Sequence, residues 1–129
     1  MTQPPTDQEP PLYAVRLAGT ARDTLLRERT RQAETISPAH ADAWYADMLA
    51  VLRSLATYPE RCPVAPEDAL VAGVTVRQRL HAQRRGLAWR LLFTVHDADA
   101  DDPPAVRVHH IRHSAQSPLT TWPASDRDS

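Results

Sequence analysis

The stretch VTVRQRLHAQRRGLAWRLLFTVH, residues 74 to 96, decides the fold of this chain. Both of its halves alternate apolar and polar residues with the period of two that a β-strand requires. The link at 82–86 is short and ends in Gly86, which suits a five-residue hairpin loop. The stretch is therefore predicted to form two antiparallel strands joined by a basic turn.

Arginine is concentrated in this hairpin, which contains no acidic residue. Its five arginines are Arg77, Arg79, Arg84, Arg85 and Arg90. A guanidinium group matches a phosphate in geometry as well as in charge, so the pattern indicates a phosphate-bearing partner. The alternative is that these arginines form the solvated face of a half-buried sheet, which is common in antiparallel sheets.

The rest of the chain predicts an α+β fold in which a helical hairpin packs on an antiparallel sheet. Residues 12–17 alternate as a first strand, and residues 105–113 as a last one. Thr20 with Asp23 resembles a capping box for a first helix, and Ser37 followed by Pro38 is typical of the start of a second. The element order is therefore β-α-α-β-β-β, in two layers. The predicted core comprises Val74, Val76, Leu80, Trp89, Leu91, Phe93, Val106 and Val108 with Trp44, Met48, Leu52 and Leu55.

Length and composition predict a single cytoplasmic domain. We expect that domain at 12–116, with flexible tails at 1–11 and 117–129. The net charge of −1 is not that of a bulk nucleic-acid coat, and all 15 basic residues are arginine, so no lysine can form a Schiff base. Cys62 is the only cysteine, and no apolar run approaches the ~20 residues that span a bilayer.

The last predicted strand holds three histidines within five residues: His109, His110 and His113. Strict alternation would put His109 and His113 on one face and His110 on the other, which is not a metal-ligand spacing. We therefore expect neither a metal nor another cofactor. A catalytic role for Cys62 is disfavoured, because the sequence places no histidine base beside it.

Four groups of residues, in their order and spacing, resemble the RelE/ParE superfamily of bacterial type II toxins. They are Ser37-Pro38 with the apolar positions up to Leu55, then 61–67, 77–93 and 106–115. The resemblance covers roughly residues 12–119. It implies the RelE/ParE-like two-layer fold and a toxin that is neutralised by a cognate antitoxin protein.

The resemblance leaves two targets open. RelE-like toxins act at the ribosome and cleave mRNA, whereas ParE-like toxins inhibit DNA gyrase and cleave nothing. We expect a RelE-like, ribosome-dependent mRNA endoribonuclease that inhibits translation and arrests growth. The alternatives are a non-catalytic gyrase inhibitor and an inactive binding module of the same fold.

For the nuclease, the resemblance implies catalytic roles for Arg77, Arg79 and Arg90. His113 is added to the catalytic set as the polar group that stands at the end of the last strand. A 2′-OH would attack the adjacent phosphorus, and guanidinium groups would stabilise the charge that develops there. All three arginines are expected to converge on one patch for this purpose.

Arginine is a poor general base because its pKa exceeds about 12, so a histidine must take the proton. The candidates are His81, His109 and His113. Contacts to nucleic acid are expected from a wider set, namely Arg84, Arg85, His81 and Arg112.

Overall fold

The computed structural model describes residues 12–82 and 87–122. Two helices pack on a four-stranded sheet, as the two-layer α+β prediction required. The predicted tail at 1–11 and the hairpin turn with Arg84 and Arg85 lie outside the described residues. The elements are β1 (Ala14–Leu17), α1 (Gly19–Thr35), α2 (Pro38–Ser54), β2 (Val76–Ala82), β3 (Ala88–His96) and β4 (Ala105–His113). In the described ranges, no helix combines the length and the apolar character that crossing a membrane requires.

The sheet has the order β1-β4-β3-β2 and is mixed, so the prediction of an antiparallel sheet was wrong for one strand. β2, β3 and β4 form an antiparallel meander, whereas β1 pairs parallel to β4. A parallel pair needs a long connection, and the whole chain between β1 and β4 supplies it. β1 and β2 are consequently the two edge strands.

The two helices begin differently. α2 starts as predicted, because the Ser37 hydroxyl accepts a hydrogen bond from the His40 backbone N–H at 3.0 Å and Pro38 occupies the first turn. The predicted capping box of α1 was wrong, since that helix starts at Gly19 with no side-chain cap. The Ala18 N–H instead donates to Val108 of β4 at 2.8 Å, so the chain turns directly from strand into helix.

The main core lies between the helices and one face of the sheet, here called the helix side. Met48, Leu91 and Phe93 are completely buried there. Trp44 of α2 meets Trp89 of β3 edge to face, with 5.5 Å between ring centroids. Aromatic pairs prefer this geometry, so the two indoles pack the helix layer against the centre of the sheet.

A smaller core covers the opposite face of the sheet, here called the back side. Two 3-10 turns at Pro59–Arg61 and Pro66–Leu70 carry the chain around the β2 edge to reach it. The residues after β4 also pack there, so the folded unit extends to Trp122, beyond the predicted limit at residue 116. The back-side cluster comprises Ala65, Val76 and Leu92, with Val71, Leu119 and Trp122 packed around them.

The predicted core membership was wrong for β2. Val76 is buried on the back side, while Val74 is only partly buried and Leu80 is 49% exposed. The register against β3 turns Arg77 and Arg79 to the helix side instead. Alternation fixes which residues share a face, but it does not say which of the two faces meets the helices.

A β-bulge in β4 overturns the predicted facing of its histidines. The pairing shifts between Leu92, which faces His110, and Phe93, which faces Val108, so the register skips His109. An extra residue in one strand reverses the alternation beyond it. His113 consequently reaches the helix side, where its ring lies 5.0 Å from that of Trp89.

The α2 cap gives a direct test of this account of the helix starts. Ser37→Ala should lower the free energy of unfolding by ~1 kcal/mol, because it removes the acceptor for a backbone N–H. Thr20→Ala is the matched control, since Thr20 does not cap α1, and should change stability by less than about 0.5 kcal/mol. Urea denaturation measures both, and equal losses would contradict the assignment of the caps.

Candidate functional site

The helix side of β2 carries three of the polar residues that the sequence singled out. Arg77, Arg79 and His81 follow one another at every second position of this edge strand. Their partners on β3 are Phe93, Leu91 and Trp89, in that order. A row of cationic and titratable groups therefore runs along the border of the main core.

These side chains stay accessible because α1 is displaced from β2. α1 packs over β1 and β4, at the other edge of the sheet. Arg79 is exposed, while Arg77 and His81 are partly buried. The uncovered strip of the helix side is thus open to a ligand and is positively charged at its rim.

A second histidine joins this strip through β-sheet pairing. Trp89 pairs with His81 on one side and with His113 on the other, so the three residues form one row across the sheet. Neighbouring strands lie about 4.8 Å apart, which puts the backbones of the two histidines ~10 Å apart. The buried Trp89 ring lies between them.

The hydrogen bonding of His113 fixes its neutral tautomer. The Ala115 N–H donates to Nδ1 of His113 at 3.2 Å, so the neutral ring carries its proton on Nε2. Ala88 and Ser114 tie the same turn to β3, since the Ala88 N–H donates to the Ser114 hydroxyl at 2.8 Å. His113 therefore stands on a backbone that is held on both sides, and its ring interacts electrostatically with the Glu28 carboxylate of α1.

Cys62 lies beside the arginines but is not an activated nucleophile. Burial raises the pKa of its thiol, and the positive charges of Arg79, Arg61 and Arg77 offset that rise only in part. A thiol with a raised pKa is protonated at neutral pH and reacts poorly. Its carbonyl oxygen accepts a hydrogen bond from Arg77 at 2.8 Å, so Arg77 also holds this loop.

Arg90 lies on the other side of the sheet, and the expected convergence of three arginines was wrong. Its two terminal nitrogens donate to both carboxylate oxygens of Glu67, at 2.7 and 3.0 Å. Gln78 accepts two further hydrogen bonds from it. Arg77 and Arg79 share a face with the odd-numbered residues of β3, so an even-numbered position such as 90 must point away from them.

The remaining predicted residues also divide between the two faces. Arg112 pairs with Arg90 on the back side, where its guanidinium donates to the Ser117 carbonyl at 2.8 Å. His109 is on the back side as well, because its Nε2 lies 2.8 Å from the Thr94 hydroxyl in a cavity of about 500 Å³. Of the proposed bases, only His81 and His113 therefore share a face with Arg79.

Sequence reasoning missed Glu67, the buried partner of Arg90, and Tyr58, which lies at the mouth of a cleft beside Arg79. Glu67 gave no signal, because an acidic residue after Pro66 in a polar loop is ordinary. Tyr58 directly precedes Pro59, and that pair of residues indicates no binding role by itself. Across residues 12–82 and 87–122, no three His, Cys, Asp or Glu side chains are grouped to hold a metal ion.

No protein-family model matches the sequence, and no curated protein matches it at a significant level.

The pair of Glu67 with Arg90 predicts a loss of stability in acid. Burial raises the pKa of the Glu67 carboxyl, but hydrogen bonds from Arg90 and the Leu119 N–H outweigh burial and hold that pKa below its ordinary value. The stabilisation is complete above the unfolded-state pKa of about 4.3 and is lost as the pH falls through the lower folded-state pKa. Glu67→Gln should cost ~3 to 5 kcal/mol at neutral pH, because it leaves the Arg90 charge buried without a counterion.

Denaturation of both proteins across the acidic range measures this effect. The difference in stability between wild type and Glu67→Gln should shrink as the pH falls below about 4.3, since the other carboxyl groups titrate equally in both chains. A difference that stays constant into strong acid would contradict a depressed Glu67 pKa.

Proposed function

We propose that this chain is a toxin of the RelE/ParE type, and specifically a RelE-like, ribosome-dependent mRNA endoribonuclease. The observation that carries the proposal is the row of His81, Trp89 and His113 on the helix side, beside the exposed Arg79. Transesterification of RNA needs a group that transfers protons and groups that stabilise the charge developing on the phosphate. Two histidines and a guanidinium on one open strip can supply both. The two-layer α+β architecture also supports the proposal, because a toxin of this type is expected to have two layers.

The chemistry follows from what each side chain can do. His81 accepts the proton of a ribose 2′-OH as its oxygen forms a bond to the adjacent phosphorus. The bond from phosphorus to the 5′-oxygen breaks, and that oxygen takes a proton from the resulting His81 imidazolium. The products are a 2′,3′-cyclic phosphate and a 5′-hydroxyl.

Charge on the phosphorus is stabilised from two directions in this proposal. Arg79, which cannot act as a base, contributes a full positive charge and a fork of N–H donors. His113 donates from Nε2, since its Nδ1 is occupied by the Ala115 N–H. Trp89 forms an apolar floor between these groups, which lowers the local dielectric constant and strengthens both interactions.

The proposed site differs from the one expected from the sequence. Arg90 has no part in it, because its guanidinium is saturated by Glu67 and Gln78 on the back side. Arg77 supports the site by holding the loop at Cys62. The catalytic set is thereby reduced to His81, His113 and Arg79.

The second candidate is a ParE-like toxin that inhibits DNA gyrase without catalysis. The burial of Arg90 favours it, because one of the arginines that the nuclease resemblance required is unavailable to substrate. In either case the partner that neutralises the chain is proposed to be a cognate antitoxin. The apolar side chains of Leu26 and Ile36, which are 45% and 58% exposed, give such a partner a docking surface on the helical hairpin.

The test is induced expression in bacteria together with mapping of mRNA 5′ ends. Wild type should arrest growth and produce cuts within translated codons. His81→Ala should reduce the cleavage rate by ~10²- to 10⁴-fold, the range that a general base contributes. His40→Ala, an exposed histidine on α2, is the matched control and should cleave as wild type does.

The outcomes separate the candidates. Growth arrest with broken DNA and intact mRNA would replace the nuclease by the gyrase inhibitor. Cleavage that persists in a folded His81→Ala variant would remove His81 from the mechanism. The absence of any growth arrest would contradict both toxin proposals.

A further inference from the structure

A cleft of about 550 Å³ lies between the C-terminal end of α2 and the edge of β2. Arg79, from the proposed catalytic strip, forms part of its wall, so the cleft continues that strip. Its volume falls within the range of about 300 to 1,000 Å³ that is usual for ligand sites. Among the described residues that line it, none is acidic.

Tyr58, at the mouth of this cleft, has a strained backbone. Its φ and ψ are 50° and 51°, and among the described residues it is the non-glycine residue with a positive φ. For a bulky side chain, this left-handed conformation costs about 1 to 3 kcal/mol and is often found at functional sites. The conformation leaves the tyrosine side chain 49% exposed rather than packed in the core.

Positive charge surrounds the exposed ring. The guanidinium of Arg61 lies over the Tyr58 ring at 5.2 Å from its centroid, a cation–π contact that orients both side chains. Arg79 lines the other wall, and both arginines are exposed. An aromatic platform flanked by arginines is the combination that binds single-stranded nucleic acid, since bases stack on the ring and phosphates pair with the guanidinium groups.

We propose that this cleft binds one unpaired base of single-stranded RNA, which stacks on Tyr58 while the flanking phosphates contact Arg61 and Arg79. The inference rests on the proposed function and names how that site would hold its substrate next to the scissile phosphate. A base in a duplex cannot reach the ring, because its faces are already stacked. An acidic peptide would use the arginines alone and would not need the Tyr58 ring.

The test measures binding of the full-length protein to a short, fluorescein-labelled, single-stranded 2′-O-methyl oligoribonucleotide by fluorescence anisotropy. The probe has no 2′-OH and cannot be cut, so binding is read separately from cleavage. Tyr58→Ala should weaken binding about tenfold, which is the size of effect expected for the loss of a stacked base, whereas Tyr58→Phe should bind as wild type does.

Tyr58→Gly distinguishes binding from a structural role. Glycine adopts positive φ without strain, so its melting temperature should not fall below that of Tyr58→Ala, yet its affinity for the probe should be as weak. Replacing Arg61 or Arg79 with Gln should reduce the slope of log affinity against log salt by about 0.7 each. Arg27→Gln, on the exposed face of α1, is the matched control and should leave that slope unchanged.

Three results would overturn the inference: Tyr58→Gly and Tyr58→Ala binding as tightly as wild type, equal affinity for a duplex probe, or no binding of the probe by wild type. Binding that depends on Tyr58 in a chain that neither arrests growth nor cleaves mRNA would instead refute the proposed function alone.

Discussion

The buried ion pair of Glu67 with Arg90 determines how the two faces of the sheet are used. The Glu67 side chain is completely buried, and its carboxylate also accepts the backbone N–H of Leu119 at 3.1 Å. The pair therefore joins β3, the second 3-10 turn and the segment after β4. Removing one partner would leave a buried charge, so the back side is a structural face that tolerates little change.

The helix side of β2 is left accessible because this edge strand is held in place from the back side. The chain crosses that edge at 63–65, where the Ala65 N–H donates to Val76 and the Gln78 N–H donates to Pro63. This pairing ends before Arg79, and α1 lies toward the other edge of the sheet. An open, positively charged strip results, bordered by Trp89 and continuous with the Tyr58 cleft.

Much of the fold could be predicted from local sequence signals. The Ser37-Pro38 start, the positions of the strands and the apolar spacing of α2 each depend on near neighbours, and each of them matches the structure. The mixed sheet could not be predicted, because the choice between parallel and antiparallel pairing of β1 depends on which distant strand it meets. The bulge at His109 could not be predicted either, because the pattern of polar and apolar residues in β4 does not show where an extra residue is inserted.

The candidate site could be predicted only in part. Arg77, Arg79 and His81 share a face by simple alternation, and the structure keeps them together. The face on which Arg90 lies depends on the register between β2 and β3. The group that binds its guanidinium is the carboxylate of Glu67, which is 23 residues away in the chain. Burial of an acid such as Glu67 follows from the tertiary contact with Arg90, which no spacing in the sequence encodes.

We propose that Arg90 is structural and that the activity of the chain belongs to the helix side. The double variant Glu67→Leu/Arg90→Met tests it most directly, because exchanging both members of a buried pair for apolar residues is often neutral or stabilising. Growth arrest after induction, compared with wild type at equal protein level, is the measurement. The account predicts equal arrest by the double variant, and a folded double variant that has lost the arrest would contradict it.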